Sequence, residues 1–108
     1  MKKIWILCSL IFIVAIVISG VNTPAFHTTC GVLYSKQGKF DKAIRDYNKA
    51  IKINPNYALA MRNIGNAYQE KGDKRQAKYW WNEALKKKEF LPDTSVVQIK
   101  KWLKELEK

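Results

Sequence analysis

The stretch GVLYSKQGKFDKAIRDYNKAI, residues 31–51, is written a second time as GNAYQEKGDKRQAKYWWNEAL, residues 65–85. Gly31, Tyr34, Gly38, Ala43, Tyr47, Ala50 and Ile51 return as Gly65, Tyr68, Gly72, Ala77, Trp81, Ala84 and Leu85. Seven small, aromatic and aliphatic positions in register at an offset of 34 mark a helix-turn-helix repeat. Each unit of such an array leaves an apolar face that only a neighbouring unit can cover.

Working outward, the apolar period predicts a first helix over residues 25–36, ended by Gly38, which supplies the left-handed turn residue. A second helix follows over residues 40–53, where Ala43, Ile44, Tyr47, Ala50 and Ile51 recur at the 3, 4, 7 and 8 spacings of one apolar face. Asn54, Pro55 and Asn56 stop it. The second unit repeats the plan over residues 57–71 and 74–87, with Asp73 and Gln76 as a capping box. Gly31 and Gly65 fall in mid-helix, where glycine costs about 1 kcal/mol relative to alanine. That cost makes sense if another helix backbone approaches closely there. Tyr34, Tyr47, Tyr68 and Trp81 read as core.

Beyond the second unit, Ser95 and Gln98 are spaced as a further capping box, and Val96, Ile99, Leu103 and Leu106 lie on one helical face. Trp102 stands 34 residues after Tyr68, so this last helix keeps the repeat register although no partner helix follows it.

Before the repeats, Lys2 and Lys3 are the only charges ahead of Lys36. Residues 4–21 carry none and are interrupted only by Ser9, Ser19 and Gly20. As a helix, those 18 positions span about 27 Å, close to the thickness of a bilayer's hydrocarbon. The reading is an uncleaved transmembrane anchor, with a cleaved secretory signal as the alternative. Ile18-Ser19-Gly20 and Thr23-Pro24-Ala25 are both poor cleavage sites. Two lysines before the span and no basic residue just after it place the repeats outside the cytoplasm. A cleaved leader would instead give a secreted or periplasmic domain. The organisation is therefore a leader over residues 1–23, units over 24–57 and 58–91, and a closing helix over 92–108.

The motif residues Gly31, Tyr34, Gly38, Ala43, Tyr47, Ala50 and Pro55 resemble the tetratricopeptide repeat pattern, and the second unit follows it through Ala84. Glu89 stands where the second closing proline would be, and His27 and Met61 where the family has a large residue early in the first helix. The resemblance implies an all-α array of two repeats plus a capping helix that leaves Lys100, Lys101, Lys104, Glu105, Glu107 and Lys108 in water. It implies no enzymatic activity and a concave groove, lined by the first helix of each unit, that takes an extended peptide or a helix of a protein partner. Onto this chain it places Thr28, Val32 and Ser35 from the first unit, and Arg62, Asn63, Asn66, Gln69 and Glu70 from the second. Helical spacing independently puts Arg62, Asn66 and Gln69 on a face apart from Met61, Ile64, Gly65 and Tyr68. Arg62 with two carboxamides suits a peptide carboxylate and backbone.

The sequence carries no Ser/His/Asp or Cys/His set that the repeat would assemble and no phosphate-binding glycine loop. His27 is the only histidine, so neither a metal nor another cofactor is expected. Cys8 lies in the leader, and Cys30, next to Gly31, reads as a small buried apolar group. Twenty bases against nine acids give +11, and +9 once Lys2 and Lys3 are set aside. Such a field favours anionic lipid or an envelope polymer, and least of all nucleic acid for an outward-facing domain. Two units fall below the three usually needed for stability, which leaves self-association through the edge of the first unit open.

Overall fold

The computed structural model describes residues 3, 6, 7, 9–11 and 21–108. From residue 21 onward it contains five α-helices: α1 (Pro24–Lys36), α2 (Phe40–Ile53), α3 (Ala58–Glu70), α4 (Lys74–Lys86) and α5 (Asp93–Leu106). A short 3-10 turn, Lys88–Phe90, joins α4 to α5. The expected span over residues 4–21 lies largely outside the described residues. Among the described residues no helix is long and apolar enough to cross a membrane.

Local chemistry fixes where each helix starts and stops. Proline disfavours helix for the residue before it but is tolerated in the first turn, where its missing N–H is not needed, so α1 begins at Pro24 rather than after it. Thr23 caps the helix, its hydroxyl accepting the Phe26 N–H at 3.1 Å. The two interhelix turns are copies of one another. Gly38 and Gly72 take φ of +75° and +84°. Across them the Lys39 N–H reaches the Tyr34 carbonyl at 2.9 Å, and the Asp73 N–H reaches the Tyr68 carbonyl, also at 2.9 Å. A left-handed residue at this point lets the chain satisfy the last carbonyls of one helix while turning into the next. Asp73 then caps α4 by accepting the Gln76 N–H at 3.1 Å.

The core is layered by repeat. Ala43, Ile44, Tyr47, Ala50, Ala60, Ile64 and Ala67 pack between the first unit and α3. Ala58, Met61, Ala77, Trp81, Ala84, Leu91 and Ile99 pack between the second unit and α5. Ile99 is fully buried, so α5 closes the apolar face left open by α3 and α4. Burying a side chain of that size contributes about 1.5–3 kcal/mol. Across units, the Lys71 Nζ lies 2.5 Å from Asp41 Oδ1, and the Lys87 Nζ donates to Asn56 Oδ1 at 2.8 Å.

Three expectations are corrected. The mid-helix glycines do not accommodate a neighbouring backbone. A Cβ at Gly31 would come within 3.0 Å of three ring atoms of Tyr47, and one at Gly65 would collide with the Trp81 indole. What approaches is an aromatic ring from the second helix of the same unit. Next, Ser95 is no N-cap. The N-cap of α5 is Pro92, and the Ser95 N–H bonds the Pro92 carbonyl at 2.9 Å, one turn inside the helix. Its hydroxyl is engaged by Arg62 instead. Finally, Cys30 is half-buried rather than buried, since Thr28 and Gly31 are the residues that α1 buries.

Candidate functional site

α1, α3 and α5, the first helix of each unit and the closing helix, share one face, and two cavities open along it. The cavity between α1 and α3 has a volume of about 410 Å³ and is lined by Ser35, Lys36, Tyr47, Arg62, Asn63 and Asn66 among others. The cavity between α3 and α5, about 450 Å³, is lined by Asn66, Gln69, Glu70, Lys74, Trp81, Trp102, Glu105 and Leu106. Asn66 and Glu70 border both, so the two cavities form one groove with α3 as its middle rib.

The polar side chains of this groove are oriented by the core beneath them. The Trp81 indole is only 2 % exposed and donates its Nε1–H to Asn66 Oδ1 at 2.9 Å. An indole is donor only, so the Asn66 oxygen faces inward and its amide N–H groups face away from the indole. Asn63 is held by the same logic: Arg62 Nη2 donates to its Oδ1 at 3.2 Å. Arg62 also donates from Nη1 to Ser95 Oγ at 2.9 Å, joining α3 to α5. Burial holds the Arg62 guanidinium below its usual pKa, with Tyr47 opposing, although arginine remains charged at any physiological pH. In the first unit, Tyr47 Oη and Ser35 Oγ share a hydrogen bond of 3.3 Å. Burial raises the Tyr47 phenol above its usual pKa, a shift that this bond to Ser35 opposes.

Of the eight residues placed in the groove from sequence, Val32, Ser35, Arg62, Asn63, Asn66 and Glu70 line one cavity, and Asn66, Gln69 and Glu70 line the other. Thr28 lines neither. It is 95 % buried, and its hydroxyl donates to the Pro24 carbonyl at 2.8 Å within its own helix. Asn63 is 8 % exposed, so it contributes to a cavity wall rather than to open surface. Lys36, Trp102 and Glu105 were not anticipated as groove residues. The register of Trp102 with Tyr68 was the available signal, since a helix in repeat register lines the groove as α1 and α3 do.

The basic charge is distributed differently. Lys42, Arg45, Lys49 and Lys52 on α2, and Arg75, Lys78 and Lys86 on α4, are exposed and do not border the groove. The acids on these helices are already paired, Asp41 with Lys71 at 2.5 Å, Asp46 with Lys49 at 3.7 Å and Glu83 with Lys86 at 2.6 Å. Lys42, Arg45 and Lys49 also border a small cavity of about 180 Å³ with Tyr34 and Asp46.

Stacked helix pairs with a continuous groove and a closing helix define a helical-repeat interaction module. Residues 31–72 match the family described as TPR repeat. The chain is 37 % identical over 76 residues to human tetratricopeptide repeat protein 6, covering 70 % of this chain and 14 % of that one. It is 38 % identical over 45 residues to the chloroplastic tetratricopeptide repeat domain-containing protein PYG7 of Arabidopsis thaliana, covering 42 % of this chain and 15 % of that one. The crystal structure of MamA protein superposes with a TM-score of 0.58 at 36 % identity, covering 61 % of this chain and 36 % of that one. The chain is a tetratricopeptide-repeat protein. It spans a small fraction of the length of the curated relatives it matches.

Proposed function

We propose that this chain is a membrane-anchored adaptor that binds an extended peptide segment of a protein partner across α1, α3 and α5. The observation that carries the reading is Asn66. It lines both cavities, and the Trp81 indole fixes its oxygen inward, so its amide donors are available to a backbone carbonyl crossing α3. Pre-oriented donors lose little entropy on binding, which favours recognition of main chain over any one side chain. Lys36 and Arg62 outnumber Glu70 at the first cavity and leave it a net positive border suited to a carboxylate.

The test uses peptides selected from a random library on the full chain in a non-ionic detergent. Lys36→Trp and Gln69→Trp place a bulky ring at exposed positions that border the two cavities, without touching the core. Binding lost in both variants, and retained in Arg75→Glu and Lys78→Glu, supports the groove. Binding indifferent to the two plugs sinks it.

The anchor rests on the uncharged run over residues 4–21, and the outward orientation on Lys2 and Lys3 before it. A full-length, membrane-retained product with its repeats cleaved by protease added to spheroplasts is the expected result. A shortened, released product favours the secreted or periplasmic alternative, and a protected one reverses the orientation. A second activity is favoured by the exposed bases of α2 and α4 that lie off the groove, Lys42, Arg45, Lys49, Lys52, Arg75, Lys78 and Lys86: electrostatic attraction to anionic lipid or an envelope polymer. Binding to anionic vesicles that persists at high salt would exclude it. Exposed Phe26 and Leu33 on α1 leave self-association as a further property for sedimentation analysis to decide.

A further inference from the structure

Besides closing the core, α5 lends the groove an indole and a carboxylate. Trp102 stacks on Trp81 with ring centroids 5.3 Å apart and planes at 29°. Trp81 is almost wholly buried while Trp102 is half-buried, so the accessible part of this aromatic wall belongs to Trp102. Glu70 from α3 and Glu105 from α5 border the same cavity. Neither carboxylate has an ion-pair partner among the described residues, although the repeats and closing helix carry twice as many bases as acids. With Lys74 counted, the charged residues bordering this cavity sum to one negative charge in a domain of +9.

Uncommitted carboxylates beside an indole surface are the chemistry that selects a planar cation. A guanidinium stacks on an aromatic ring and presents paired N–H donors to a carboxylate, which a compact ammonium does less well. A volume of about 450 Å³ has room for one long side chain. We infer that the cavity between α3 and α5 is a receptor for an arginine side chain carried by the segment bound in the groove. This rests on the groove reading for its biological context, and it adds a requirement on the partner's sequence. It also gives α5 a second role, as a wall of the binding site.

The test is a titration of the ¹⁵N-labelled full chain, in non-ionic maltoside micelles, with N-acetyl-arginine amide or N-acetyl-glutamate amide. The tryptophan indole N–H signals are read individually. The arginine probe should shift Trp102 and its stacked neighbour Trp81 saturably, leave Trp5 and Trp80 little changed, and outcompete the glutamate probe. Glu70→Gln with Glu105→Gln should weaken it about tenfold, the scale expected when two exposed charge interactions are removed together. A Trp81 indole signal still hydrogen-bonded to Asn66 certifies that the double variant is folded. No saturable shift, equal response to the glutamate probe, or undiminished binding by the folded double variant overturns the inference. Because the probe is one amino-acid derivative, it binds whether or not an extended segment seats. Probe binding with no plug-sensitive peptide binding would sink the groove reading alone. Plug-sensitive peptide binding with no probe response would sink this inference alone.

Discussion

Gly65→Ala is expected to invert the usual sign of a glycine-to-alanine change in a helix. In an open helix the substitution stabilises by about 1 kcal/mol. Here the new Cβ would meet the Trp81 indole well inside contact distance, with Cγ the farthest of the three nearest ring atoms at 3.0 Å. Relief requires the ring to move, and overpacking of this kind costs about 1–3 kcal/mol. Moving the ring also disturbs the 2.9 Å bond to Asn66 and the stack on Trp102. Those are worth about 0.5–1.5 kcal/mol each. After subtracting the helix-propensity gain, the net destabilisation is about 3 kcal/mol, a large share of what a domain this small holds in reserve. The assay is urea unfolding of the full chain followed by far-ultraviolet circular dichroism. The same substitution is then repeated in a Trp81→Leu background, where the penalty should vanish and the helical gain should emerge. Gly65→Ala that is neutral or stabilising, or equally harmful in both backgrounds, refutes the idea that the ring dictates the glycine.

Other outcomes follow from the same structure. Gly38→Ala and Gly72→Ala should each destabilise by about 1–2 kcal/mol in urea unfolding, although nothing lies within 4 Å of the added methyl, because the penalty is the positive φ alone. Asp73→Ala should cost about 1 kcal/mol in the same measurement by removing the cap from Gln76. The hydrogen bond from Lys71, with its charge, holds the Asp41 carboxyl below its usual pKa. A depressed carboxyl contributes stability above its unfolded value, near 4, and loses it as pH falls through the folded value. Unfolding midpoints should therefore drop more steeply below about pH 4 for the wild type than for Asp41→Asn, by a small amount that salt reduces, since the pair is exposed.

Much of this architecture was legible because the repeat writes its geometry in residues with few alternatives. The paired glycines at 38 and 72 fixed both turns, and the apolar period placed α1 to α4 within a residue or so of their observed ends. What could not be read depends on contacts between side chains far apart in sequence. Ser95 matched a capping pattern, yet Arg62, 33 residues earlier, takes its hydroxyl. Thr28 shares a helix with Ser35 but points into its own first turn, where a threonine hydroxyl finds a carbonyl four residues back. Trp102 was legible as a packing residue from its register. Its place in a cavity wall required knowing that α5 leans against α3 beside Trp81.

The central claim is that the partner lies in the groove across α3. A slender aliphatic diazirine amino acid at Gln69, which leaves the cavity open as an aromatic ring would not, is compared in intact cells with the same group at Asn48, exposed on α2. On this claim, discrete adducts are expected from position 69, disappearing when Lys36→Trp plugs the neighbouring cavity, and none from position 48. Adducts from position 48 with none from position 69, or adducts indifferent to the plug, would contradict it.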